Sequence, residues 1–171
     1  MNIVAQHVFA ASQQELWDLL LDSKRLAQCI PGCESLEEVE PDRYTATLKI
    51  GVASIKGTYL GKVEIGEKQP PSRYRLSIEG SSKPGFVRGV ANMELSQPED
   101  GKTLLAINAE AEVGGLLASV GQRFLSGIAK QMVERFLRNV EKSLAGSLSV
   151  EPGPLSSEEA VASGVSGEIA E

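Results

Sequence analysis

The chain has 171 residues, enough for one domain with a real core and too few for two. It carries 23 acidic and 17 basic residues, for a formal charge of −6, but five of the glutamates fall in the last 25 residues, so residues 1 to 146 are nearly balanced. A balanced body is a poor polyanion binder, since phosphate contacts need clustered Lys and Arg, so nucleic acid is not an expected partner.

The amino terminus shows no basic region followed by an apolar block, and no stretch approaches roughly eighteen apolar residues. Neither a secretory signal nor a spanning helix is expected, and the cytoplasm is the expected compartment. Residues 3 to 9 alternate as a strand. Ser12 with Glu15 three residues on forms a capping box that opens a helix over Gln13 to Leu21, with Trp17, Leu20 and Leu21 on its inner face. A second short helix covers Ser23 to Gln28 and ends at Pro31-Gly32. Cys29 and Cys33 flank that turn; with no second cysteine pair and the single His7 far away, zinc would lack ligands, and reduced thiols are expected.

From Glu34 the pattern becomes strands, over 34 to 40, 43 to 51, 54 to 66, 72 to 82, 85 to 97 and 102 to 113, separated by Pro-, Gly- and Asp-rich turns. Alternation assigns their faces. Inward fall Tyr44, Ala46, Leu48 and Ile50, then Ile55, Gly57, Tyr59, Gly61, Val63 and Ile65. Tyr74, Leu76, Ile78 and Gly80 follow, then Val87, Gly89, Ala91, Met93 and Leu95, and last Leu105, Ile107, Ala109, Ala111 and Val113. Many of these are small. Small inner residues have two readings, sharp coiling that lets a helix approach closely or unfilled volume for a ligand.

A long amphipathic helix is predicted over Leu117 to Leu144, with Val120, Phe124, Ile128, Met132, Phe136, Val140 and Leu144 recurring every fourth residue. Gly121 and Gly127 lie in its first half, each costing about 1 kcal/mol of helix stability relative to Ala, which predicts a bend or a close backbone contact. An apolar stripe following a run of antiparallel strands can be buried only across the concave face of a curved sheet. Residues 147 to 171, acidic and rich in Pro, Gly and Ser, read as a disordered tail on a domain spanning 1 to 146.

No titratable group alternates onto the inner wall, no phosphate loop follows a strand and no nucleophile elbow is present, so no catalytic or metal-ligating set emerges. Tyr44, Tyr59 and Tyr74 read either as core and rim aromatics or as phenols that orient a bound carbonyl. Lys83 and Arg88 flank Pro84-Gly85-Phe86-Val87, read as an exposed apolar tip. That tip could touch a bilayer or a partner, although solvated turn charges are the commoner explanation.

The order of strand, two short helices, six strands and long terminal helix resembles the helix-grip fold of the START-like (SRPBCC) superfamily. That is an α+β architecture in which a curved antiparallel sheet of about seven strands wraps a long C-terminal helix. Cys29-Ile30-Pro31-Gly32-Cys33-Glu34, Gly51-Val52, Ile55-Lys56-Gly57-Thr58-Tyr59-Leu60-Gly61-Lys62-Val63, Gly114-Gly115-Leu116-Leu117-Ala118 and Gly121-Gln122-Arg123 occur in this order. As a set they resemble the CoxG family of carbon monoxide dehydrogenase subunits over residues 1 to about 145.

The resemblance implies an accessory protein that assists a molybdenum hydroxylase of the CO dehydrogenase type, by recruiting it to the cytoplasmic membrane or by handling a quinone-like acceptor. It implies no covalently bound cofactor and an apolar ligand such as a quinone or lipid. The expected pocket wall is Tyr44, Leu48, Tyr59, Gly61, Val63, Leu76, Ile78, Gly89, Ala91, Met93, Ile107, Ala109 and Ala111 from the strands, with Leu117, Val120, Phe124 and Ile128 from the helix. The alternative is a START-like enzyme, or a lipid- or polyketide-binding protein, acting on a small apolar or aromatic compound.

Overall fold

The computed structural model describes residues 1–146; the acidic tail expected over 147 to 171 lies outside the described residues. The chain begins with β1 (Asn2–Phe9), α1 (Gln13–Leu20) and α2 (Ser23–Cys29), followed by β2 (Cys33–Glu40) and β3 (Arg43–Ile50). Four long strands come next: β4 (Gly57–Gln69), β5 (Arg73–Ser82), β6 (Gly85–Glu99) and β7 (Lys102–Gly114). The helix α3 (Gln122–Leu144) closes the domain. The seven strands form one antiparallel sheet in the order β1-β7-β6-β5-β4-β3-β2. Because β1 and β2 are its opposite edges, α1 and α2 must cross from one edge to the other, and they cover one end of the inner face.

Local chemistry fixes the crossing. Ser12 Oγ accepts the Glu15 amide at 3.1 Å and Asp22 accepts the Lys24 amide at 3.1 Å, each satisfying an orphan donor at a helix start. Thr103 Oγ1, fully buried, donates to the Ala11 carbonyl at 2.8 Å and ties β7 to the loop before α1. Leu16, Leu19 and Leu20 then enter a core with Phe9, Leu95, Leu105, Leu137 and Val140.

The terminal helix departs from its expected start at Leu117. Residues Gly115–Val120 form a 3₁₀ turn, and α3 begins at Gln122. Gly121 stands at φ +99°, a conformation that L side chains rarely adopt, so the break falls at a residue that tolerates it. The turn is held elsewhere: the Leu117 amide donates to the Pro84 carbonyl at 2.7 Å, and Gly115 lies against Gly85. A similar 3₁₀ turn, Ala53–Ile55, replaces the expected start of β4 at residue 54.

Along α3 the buried face also changes. Arg135 and Asn139 are buried one turn apart, and Asn139 Nδ2 donates to the Cys29 carbonyl at 3.0 Å. That face is turned to α2, whereas Val133, Leu137 and Val140 turn to the main core.

A candidate ligand cavity

Cross-strand register places the inward side chains in rows. Tyr44, Val63, Ile78, Gly89 and Ala111 are successive partners across β3, β4, β5, β6 and β7. Ile65, Leu76, Ala91, Ala109 and Ile3 make the next row, since Ile65 pairs Leu76, Leu76 pairs Ala91, Ala91 pairs Ala109 and Ala109 pairs Ile3. Tyr74, Met93 and Ile107 make the third. The backbone of α3 lies against β1, α1 and α2 and has few close approaches to β3–β6. Space is left under the helix.

The space is a cavity of about 350 Å³. Ten of the expected wall residues line it: Tyr44, Val63, Leu76, Ile78, Gly89, Ala91, Met93, Ile107, Ala109 and Ala111. Ile78, inward by alternation, keeps 36% of its surface accessible, as a wall of a hollow does. Further lining comes from Leu20, Leu21, Leu26 and Ile30 around the short helices, Leu36 on β2, and Val133 and Phe136 on the second half of α3. The sequence signal for these was present in part, as the inner face of α1 and the apolar stripe of α3. What no local pattern supplied was that the short helices, and not the first turns of α3, roof the hollow.

The remaining expected residues go elsewhere. Leu48, Tyr59, Leu117, Val120, Phe124 and Ile128 pack with Val52 and Ile55 into a second cluster at the far end of the sheet. The break at Gly121 bends the chain so that these residues fill space against each other. Gly61 does not line the cavity; a Cβ there would lie 3.8 Å from Ala46 Cβ and 3.5 Å from the Glu79 carbonyl.

The tip between β5 and β6 also differs from expectation. Pro84, Gly85 and Phe86 are half-buried, the Phe86 ring lies against Gly114, and Arg88 stacks over it at 4.8 Å. Lys83 and Arg88 remain exposed, and the most exposed apolar residue at this end among the described residues is Leu116, 72% accessible. A glycine at 114 is what admits the ring.

The cavity's polar groups are few: Ser23, Glu110 and the phenols of Tyr44 and Tyr74. Glu110 is exposed and alternates outward between Ala109 and Ala111. Burial pushes the Tyr44 phenol up to about 12, helped by its hydrogen bond to the Glu38 carboxylate and by Asp42. Burial likewise raises Tyr74, whose ring meets Trp17 edge-on at 5.4 Å. Tyr59 donates to the Ile55 carbonyl at 2.7 Å, outside the cavity. His7 meets Glu141 at 2.8 Å on the surface between β1 and α3. Both cysteines are free; burial pushes Cys29 up to about 11 and raises Cys33, so neither is an activated thiolate.

A larger groove, about 980 Å³, crosses the outer face of the sheet, but its walls include Arg43, Lys62, Glu64, Glu79, Arg88 and Glu112. Such cross-strand charges are solvated. The interior hollow has the apolar walls usual for a small-molecule site.

Among solved structures, a conserved protein from Geobacillus kaustophilus is 36% identical, with a TM-score of 0.83, over 85% of this chain and 96% of that one. A START superfamily protein from Mycobacterium smegmatis, 11% identical, superposes with a TM-score of 0.69 over 85% of this chain and 97% of its own. A Thermus thermophilus protein, 17% identical, superposes with a TM-score of 0.65 over 87% of this chain and 100% of its own. The last two share the fold. No curated protein matches the sequence. The family model for the carbon monoxide dehydrogenase subunit CoxG matches residues 6–145, and the chain belongs to that family, on a START-like helix-grip fold.

Proposed function

We propose that this chain is a noncatalytic accessory protein that holds an uncharged apolar molecule, a quinone-like acceptor or a lipid, in the cavity beneath α3. In this reading it serves a molybdenum hydroxylase of the CO dehydrogenase type at the cytoplasmic face of the membrane. The observation that carries the reading is the character of the wall: three rows of aliphatic and small residues with no inward charge. An ionised ligand would lose its hydration there without a partner, whereas a ring or prenyl chain gains about 25 cal/mol for each Å² it buries.

Family membership supports the partner enzyme, and the Tyr44 and Tyr74 rings in the wall suit a flat apolar ring. An enzyme would need a titratable group poised for proton transfer at the hollow; neither Tyr59 nor His7 lines it, and burial keeps the Tyr44 and Tyr74 phenols protonated. Native mass spectrometry and solvent extraction of the purified protein test the proposal. An apolar small molecule should leave the protein in stoichiometric amount. An empty protein that also fails to take up a short-chain quinone would overturn it.

A further inference from the structure

Charge is unevenly placed on this molecule. The row Lys62, Glu79, Arg88 and Glu112 crosses the outer face in alternating sign. Past that row, residues 33–36, 46–61, 80–87 and 113–127 converge at one end; these 43 residues hold four basic side chains and one carboxylate, Glu34. The rest of residues 1–146 holds 13 basic and 17 acidic residues, so a nearly neutral body divides into an end of +3 and a remainder of −4.

Lys49, Lys56 and Lys83 are exposed at this end. The amino terminus of α3, which has no side-chain cap, points there too and adds partial positive charge. Leu116 and Leu60 are 72% and 63% accessible, two of the most exposed large apolar side chains among the described residues. Leu116 stands on the 3₁₀ turn among Gly115, Ala118 and Ser119, all exposed. One leucine protruding from small neighbours offers no flat apolar patch for a protein partner, but a bilayer accepts an isolated apolar side chain wherever it enters. The excess of cations at this end matches an anionic headgroup layer.

We propose that this end docks on an anionic bilayer, with Leu116 entering the boundary between headgroups and acyl chains and Lys49, Lys56 and Lys83 lying over the headgroups. The proposal rests on the accessory-carrier reading and names the surface by which such a carrier meets lipid. The cluster of Val52, Ile55, Tyr59, Leu117 and Ile128 lies between this end and the cavity, so docking sets the plugged end of the hollow against the bilayer. Leu117, 3% accessible in that plug, is the chain neighbour of Leu116.

Co-sedimentation of the full chain with vesicles tests this, using phosphatidylcholine alone and phosphatidylcholine mixed with phosphatidylglycerol. The protein should bind the mixed vesicles at low salt, bind them less as salt rises, and bind neutral vesicles roughly tenfold more weakly or worse. Leu116→Ser, and separately the triple change Lys49→Glu, Lys56→Glu and Lys83→Glu, should each weaken binding by a similar factor. The control triple change Lys24→Glu, Arg73→Glu and Lys102→Glu, at exposed sites elsewhere, should not. No binding to mixed vesicles, or equal loss from both triple variants, overturns the proposal. Retention on an immobilised acidic protein without vesicle binding also overturns it, in favour of a protein partner. Extraction of apolar molecules from the same preparations reads the cavity separately. Ligand without vesicle binding sinks the docking alone, whereas vesicle binding by a protein that takes up no ligand sinks the carrier reading alone.

Discussion

Ala109 and Gly61 are alike in the sequence, both small and both on the inward side of a strand, yet they occupy different surroundings. Ala109 faces the hollow, whereas Gly61 lies close to Ala46 and the Glu79 carbonyl. Ala109→Phe should therefore leave the melting temperature nearly unchanged while reducing uptake of an apolar probe. Gly61→Leu should overpack and lower stability by about 1 to 3 kcal/mol, read from the denaturant midpoint. A large loss of stability in Ala109→Phe would mean that the hollow is filled by protein. Gly89 is a third case: it lines the cavity, but a Cβ there would sit 2.7 Å from the Glu110 carbonyl, so backbone proximity, not spare volume, requires glycine.

The buried acids give a pH prediction at the same scale. Cys29 and Tyr44 stay protonated in the fold up to about 11 and about 12, against ordinary values of 9.0 and 10.0. Between the ordinary and the raised value the folded chain binds more protons than the unfolded one, so stability falls as pH rises. Thermal melts should be flat just below pH 9 and decline progressively toward pH 11. Tyrosinate absorbance should show a fraction of phenols that ionises only on unfolding.

Among the elements, α3 and the turn before it are where pattern and structure part. The four-residue repeat runs without interruption from Val120 to Leu144, and nothing in hydrophobic periodicity distinguishes one helix from a 3₁₀ turn followed by a helix. The glycines carried the missing information. Gly121 is the break, and Gly114 and Gly115 are required by the closeness of Phe86 and Gly85. Gly121→Ala should cost about 1 to 3 kcal/mol, because φ +99° with ψ 138° belongs almost entirely to glycine. Chemical denaturation checks it; an unchanged midpoint would mean that the turn relaxes into continuous helix. The other elements follow their local signals closely. α1 begins after the Ser12 cap, α2 after Asp22, and the strand alternation survives nearly intact through β7.

For the molecule as a whole, the hollow has a thermodynamic consequence. A ligand that binds only the folded state stabilises it, by about 2.7 kcal/mol at a free concentration a hundredfold above Kd. Protein stripped of apolar molecules by organic extraction and refolding should melt below the protein as purified, and adding a short-chain quinone should restore the difference. Identical melts would count against an occupied cavity. Charge behaves similarly at this scale. A net value near zero for residues 1–146 describes a molecule with a mainly cationic end and an anionic remainder, a separation visible only once four separate segments are brought together.

The sequence by itself determined the elements, their order, the inward face of each strand and the family, because these rest on caps, turns and periods of two and 3.6 residues that act over short spans. Tertiary structure decided which inward residues share a void and which pack solid. A cavity is a small difference between large filled volumes, set by how α1, α2 and α3 seat across the sheet, and no local rule measures that difference.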